Sequence, residues 1–220
     1  MFGAHEVTFP AGPGGGRVRG VVHPAEAIRA CFLLAHGRSG HMDHPMIRRL
    51  SIALAEAGVW TLRFNFRYTD EKVAASRDLS REEGDLLAAV HFARKEVASA
   101  PVFVAGMSMG ARVCARASGD PDIAGVIALG YPLHPPGRPE VRDPPEWPKL
   151  VKPALFVQGD RDPFCDLARM REELPKLSRP NELVVIENAG HSFESKGAKR
   201  DSFPEVLEAL LAWLGKQVGA

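Results

Sequence analysis

No stretch of this 220-residue sequence stays apolar for the length that a bilayer span requires, so no membrane role is expected. Charge of one sign is missing too. The 28 Lys and Arg stand against 27 Asp and Glu, a formal net charge of +1. That balance supplies neither the basic footprint of a nucleic-acid binder nor an acidic tail. Cysteine is scarce and odd in number: Cys31, Cys114 and Cys165. This excludes a disulfide framework; Cys31 in an apolar strand and Cys114 on a helix are expected to be buried and reduced, and Cys165 partly exposed. The opening residues Met1–Glu6 lack the basic and apolar regions of a signal peptide, which makes the cytoplasm the expected location. Internal repeats are absent. What remains, 45% hydrophobic and 25% charged residues, is the composition of an ordinary globular domain, and the length suits one domain with a sizeable core.

The apolar residues fall into an alternating order. Val7–Pro10 and Val18–Val22 flank the Gly-rich stretch Gly12–Gly16 and read as an edge hairpin. That stretch lacks the Lys-Ser/Thr and following helix of a phosphate-binding loop. Cys31–Ala35, Val59–Phe66, Val102–Ala105, Ile123–Leu129, Ala154–Gln158 and Glu182–Ile186 read as strands, several of them continuous apolar runs suited to burial on both faces. Helices are predicted between them. One starts near Asp43-His44-Pro45, carries Ile47, Leu50, Leu54 and Ala57, and stops at Gly58. One opens on a capping box, Ser80–Glu83, and carries Leu86, Val90, Ala93 and Val97. One follows Ser108, one spans roughly Asp166–Leu177 with Asp166 as its cap, and one is capped by Ser202 and carries Val206, Leu210 and Leu214. Arg67–Leu79 reads as polar loop. Tyr131–Pro153 holds eight of the chain's 18 prolines and cannot be regular structure. Together these predict an α/β fold: a mostly parallel sheet with an antiparallel N-terminal start, helices on both faces, and a site built from loops at the carboxyl ends of the strands.

The chain is organised around one such end. After the apolar run Val102–Ala105 comes Gly106-Met107-Ser108-Met109-Gly110, a G-x-S-x-G sequence between a strand and a helix. A turn that tight needs small flanking residues, and it lifts the Ser108 hydroxyl above the sheet beside the free N–H groups of a helix start. A serine hydroxyl is a poor nucleophile without a base and an acid to orient that base. His191, in the loop after the last strand, is the predicted base. Gly159-Asp160-Arg161-Asp162 follows the preceding strand and offers the acid; Asp162, further toward the mouth, is preferred to Asp160. The expected oxyanion donors are the backbone N–H groups of Met109 and Arg38. His36 is expected to brace its loop.

The signatures His36-Gly37, Gly106–Gly110, Gln158–Phe164 and Ala189–Phe193 recur together in the α/β-hydrolase superfamily, which the chain resembles nearly end to end. Its size and lack of a lid resemble the dienelactone-hydrolase-like and small carboxylesterase branch. Arg63–Phe66, Gly130–Glu140 and Phe156–Phe164 resemble a narrower group of bacterial predicted hydrolases that includes the hydrolase-like domain of a histone-acetylating complex subunit. The resemblance implies a serine hydrolase acting on carboxylic esters, with no cofactor, no metal and a small-molecule ester as its partner. Dienelactone hydrolases carry cysteine where this chain has Ser108.

The same machinery serves esters, thioesters and amides, and a non-catalytic interaction domain on this fold is the alternative that a reactive Ser108 would exclude. Arg67 and Arg38 are candidates to bind an acidic group on a substrate. Tyr131, Leu133 and Trp147 are expected to wall an open cleft, and Arg112 to form a structural ion pair. The His41–His44 cluster is read as helix capping rather than a metal site. The residues leave the oligomeric state open.

Overall fold

The structure is a computed structural model that describes residues 3–12, 15–141, 146–193 and 201–219. An antiparallel hairpin, β1 (His5–Pro10) and β2 (Arg17–His23), leads into β3 (Ala30–Ala35), α1 (Pro45–Glu56) and β4 (Val59–Phe64). Then come α2 (Arg67–Glu71), α3 (Ser80–Glu96), β5 (Val102–Met107), α4 (Met109–Ala117) and β6 (Ile123–Leu129). The chain closes with β7 (Ala154–Gly159), α5 (Leu167–Glu173), β8 (Asn181–Ile186) and α6 (Phe203–Val218). The eight strands form one sheet in the order β1-β2-β4-β3-β5-β6-β7-β8. It is antiparallel through β2 and β4 and parallel from β4 to β8.

β3, β4, β5 and β7 are buried at every residue, because helices cover both faces. Side chains alternate between two cores. Leu33, Val104 and Phe156 pack with Leu86 and Val90 of α3 and Val113 of α4. Phe32, Phe103 and Leu155 pack with Leu50 and Leu54 of α1 and Leu210 and Trp213 of α6. Each such side chain contributes about 1.5–3 kcal/mol when fully buried. No helix among the described residues is long and apolar enough to cross a membrane. Cys31 and Cys114 are buried, as expected, and so is Cys165, which the sequence reading left partly exposed.

The helix ends depart from the sequence reading. His44 stands at the N-cap of α1 without a capping side-chain bond, and Asp43 pairs with Arg63 instead. The predicted box at Ser80 does not form. Leu79 takes the N-cap in a left-handed conformation (φ 60°), and the Glu82 carboxylate accepts from the Ser76 N–H at 3.0 Å and from its hydroxyl. Glu83, the acceptor that a box at Ser80 would use, takes Arg116 at 2.9 Å instead, and the Ser80 N–H goes to Asp78 Oδ1 at 3.1 Å. At α6 the Phe203 N–H goes to Asp201 Oδ1 at 3.1 Å, so Asp201 does the work assigned to Ser202. Asp166 does cap α5, accepting from the Arg169 N–H at 2.8 Å. The strand predicted to reach Phe66 stops at Phe64, because Asn65 turns the chain: its Oδ1 accepts from Met42 N–H and its amide donates to Asp70. What read as polar loop then begins with the short helix α2, ended by Lys72 at φ 56°.

Candidate active site

Ser108 joins β5 to α4 with φ 52° and ψ −115°, a conformation L-residues adopt only at a cost of about 1–3 kcal/mol. Its N–H donates to Leu129 O at 2.9 Å, and its carbonyl accepts from the Ala111 N–H at 3.0 Å, which pins the turn from both sides. Two glycines make the turn possible. A Cβ on Gly106 would lie 2.2 Å from Gly110 C, and one on Gly110 would lie 2.7 Å from the carbonyl oxygens of Ala35 and His36.

The loops after β7 and β8 meet this serine. His191 Nε2 lies 2.8 Å from Ser108 Oγ, and His191 Nδ1 lies 2.7 Å from Asp162 Oδ2. The Asp162 side chain is fully buried, that of His191 18% exposed. Close backbone packing holds the histidine loop in place: a Cβ on Gly159 would lie 2.3 Å from Ala189 O, and Gly130 (φ +60°) leaves room for His191 O. The Phe164 ring packs against the imidazole, 4.4 Å between centroids. Asp162 Oδ1 accepts from the Phe164 N–H at 2.8 Å. Its Oδ2 also accepts from the side-chain amide of Gln158, a residue to which the sequence signature assigned no separate role. Among the described residues Gln158 Oε1 has no hydrogen-bond partner in this buried setting, which costs about 1–3 kcal/mol. Asp160 is exposed and lies outside this chain of bonds.

His36 braces its loop. Its Nδ1–H donates to Gly37 O at 2.7 Å and its Nε2 accepts from the Phe66 N–H at 3.1 Å. Burial pulls this imidazole down to about 4 from an ordinary 6.5, so it is neutral at pH 7. Gly37 and Arg38 thereby face Ser108 and Met109 across a cleft of about 510 Å³. The cleft is also lined by His44, Arg112, Pro132, Phe164 and His191, with no carboxylate in its lining among the described residues. A hollow of about 620 Å³ at the amino ends of β3 and β4 lies at the opposite end of the sheet, with no serine or cysteine in its lining among the described residues. Among the described residues His91, Asp120 and Asp122 bring three ligand atoms within 4.8 Å of one another, but Arg94 already sits 3.2 Å from Asp122.

Residues 28–216 match the family described as an alpha/beta hydrolase domain. The chain belongs to that family. Solved structures agree in fold. A lidless α/β serine hydrolase from Xanthomonas campestris superposes with a TM-score of 0.77 at 23% identity, over 100% of this chain and 98% of that one. Dienelactone hydrolase from Anabaena variabilis gives 0.75 at 21%, over 97% and 98%. Est1E from Butyrivibrio proteoclasticus gives 0.75 at 18%, over 97% and 99%. The family and the fold together support hydrolase activity. As in the lidless relative, no lid domain covers the cleft among the described residues.

In this α/β hydrolase the predicted cleft walls lie elsewhere. Tyr131 and Leu133 are fully buried and Trp147 nearly so. Tyr131 and Trp147 pack on each other and on Phe156, beneath the surface that Pro132 and Phe164 present. Alternation along the irregular segment turns Tyr131 and Leu133 inward and Pro132 outward. Arg112 holds Glu146 through two bonds of 3.0 and 3.1 Å, the ion pair expected of it, while also lining the cleft.

Arg67 is not at the cleft. It is 4% exposed, its Nε donates to Asp85 Oδ1 at 2.5 Å, its backbone N–H donates to Asp85 Oδ2 at 2.9 Å, and its guanidinium reaches Gly15 O. Burial pushes the Asp85 carboxyl up, opposed by the bonds from Arg67. Arg67→Ala would strand that carboxylate, so a loss of about 3 kcal/mol is expected. The urea midpoint should fall at an unchanged slope; a midpoint equal to the parent's would contradict the pairing.

Proposed function

We propose that this chain is a serine hydrolase that cleaves carboxylic esters of small or extended acyl groups through an acyl-enzyme. The observation that carries this is the unbroken relay from Ser108 Oγ through His191 to Asp162, with bonds of 2.8 and 2.7 Å. His191 Nε2 takes the Ser108 proton as Oγ bonds to the ester carbonyl carbon. Asp162 holds the Nδ1–H tautomer and stabilises the imidazolium that forms. The backbone N–H groups of Met109 and Arg38 receive the oxyanion. His191 then returns the proton to the leaving alkoxide, which departs as the C–O bond breaks. Water repeats the sequence on the acyl-enzyme and releases the acid. Every group used is a side chain or amide of this chain, and the proposed partner is a small-molecule ester. Thioesters and amides would meet the same machinery.

The test is labelling with a fluorophosphonate probe and mass mapping of the product. A single adduct on Ser108 is expected. Folded protein that takes no label would sink the proposal and turn the search toward binding partners.

The Arg38 side chain is exposed on the cleft, which makes it the remaining candidate for an acidic group on the substrate. Arg38→Ala should lower kcat/KM for a carboxylate-bearing ester about tenfold relative to its neutral counterpart, by loss of one charged contact. An unchanged ratio between the two esters would end that assignment.

A further inference from the structure

We infer that Gln158 is a positioning residue for Asp162: its side-chain amide shares Oδ2 with His191 and fixes the carboxylate so that the imidazole meets one oxygen in one orientation. The inference rests on the reading of Ser108, His191 and Asp162 as the reacting relay.

Gln158 is the penultimate residue of β7 and fully buried, between Val157 and Gly159. An apolar side chain would suit that place better on packing grounds, since the amide oxygen there has no hydrogen-bond partner among the described residues. The amide nitrogen is the part with a use. It donates to Asp162 Oδ2 at 2.5 Å, the same oxygen that faces His191 Nδ1 at 2.7 Å. The reverse orientation of the amide would set two oxygens against each other, so the acceptor dictates which way the group faces. The third bond, from the Phe164 N–H to Oδ1 at 2.8 Å, ties the other carboxylate oxygen to the backbone. With both oxygens held by donors from different directions, the carboxylate cannot rotate about its Cβ–Cγ bond without losing a bond in a place that water does not reach. Remove the Gln158 donor and only His191 and one backbone amide hold it. Displacements of about 1 Å in such an assembly cost up to about 10²-fold in rate.

Among the described residues the other titratable group acted on by this carboxylate, besides His191, is Cys165, on which Asp166 acts as well. The Cys165 thiol is pushed up to about 12 by burial, then by the Asp162 and Asp166 charges, so it stays neutral through the working range. Asp166 is occupied at the head of α5 by the Arg169 N–H. The Cys165 S–H is directed to Asp166 O at 3.9 Å, and among the described residues neither group bonds Oδ2.

Two substitutions separate positioning from packing. Gln158→Met keeps the length and volume of the side chain and has no donor. It should fold, and its kcat on a short-chain p-nitrophenyl ester should fall about 10- to 100-fold with KM nearly unchanged. Gln158→Glu restores a donor only while the introduced carboxyl holds a proton. Its kcat/KM, divided by the parent's at each pH, should therefore be highest near pH 5 and fall as pH rises, because the ionised carboxyl would repel Asp162. A purely structural glutamine would give a ratio independent of pH. Parent protein labelled on Ser108, together with Gln158→Met at the parent's kcat or a pH-independent ratio for Gln158→Glu, would overturn the inference alone. Parent protein that takes no fluorophosphonate would overturn the underlying reading and the inference with it.

Discussion

Ser108→Ala is expected to lower kcat/KM for a short-chain p-nitrophenyl ester by at least about 10³-fold, with the fold intact. Removing the attacking atom leaves only cleft binding and the backbone N–H groups, and in serine hydrolases built on a relay these retain a small residue of the full rate. The variant should keep its stability within about 1 kcal/mol, because alanine faces the same positive φ as serine and the pinning bonds at this residue are made by its backbone. Matching circular dichroism and melting curves would show the loss to be chemical. A variant that keeps more than a tenth of the parent activity would place the reaction elsewhere in the molecule.

Gly106→Ala is expected to be as damaging to the fold as Ser108→Ala is to the chemistry. The added methyl would sit 2.2 Å from Gly110 C, 2.3 Å from Gly110 O and 2.5 Å from Ala111 N, all backbone atoms. A side chain could rotate away; a helix start cannot. Gly106 is held in register with Ala35 on one side and Ala128 on the other, so the strand cannot retreat either. The first turn of α4 would have to lift off the sheet, taking the Ser108 turn with it. A loss beyond about 4 kcal/mol, read as insoluble protein or a much lowered melting point without Ser108 labelling, is the expected result. Gly84→Ala in α3 is the matched control. Its Cβ would meet nothing within 4 Å, so a gain of up to about 1 kcal/mol is expected there. Equal behaviour of the two variants would refute the steric account of the turn.

Much of this was legible in the sequence, and the line between read and unread has physical causes. Mostly apolar runs marked the buried strands because burial on both faces leaves few polar positions within them, Thr61, Arg63 and Gln158 being the exceptions in β4 and β7. The strand, G-x-S-x-G, helix order located Ser108 because the turn tolerates so few residues. Asp162 and His191 were readable because both follow strands whose carboxyl ends share one edge. The misreadings involve side chains whose partners are distant in sequence. Arg67 looked like a free cation, yet its partner Asp85 lies 18 residues on. Glu83 matched a capping pattern but pairs with Arg116, 33 residues on. Tyr131 and Trp147 looked like cleft walls because aromatic character does not report which way an irregular segment turns. Gln158 was read only as a strand end and the start of a signature, because its role exists only once β7 and the loop after it are folded together.

The relay has a consequence for when the chain acquires its chemistry. Ser108 and His191 are 83 residues apart, and His191 and Asp162 are 29 apart. The elbow can close on local contacts between β5, α4 and β6, but the imidazole arrives only when β8 has added itself to the sheet beside β7. On a ribosome that strand emerges well after β5, α4 and β6. A growing polypeptide would therefore carry an assembled turn and a silent serine until β8 arrives. The appearance of a probe-reactive Ser108 would time the docking of the final strand.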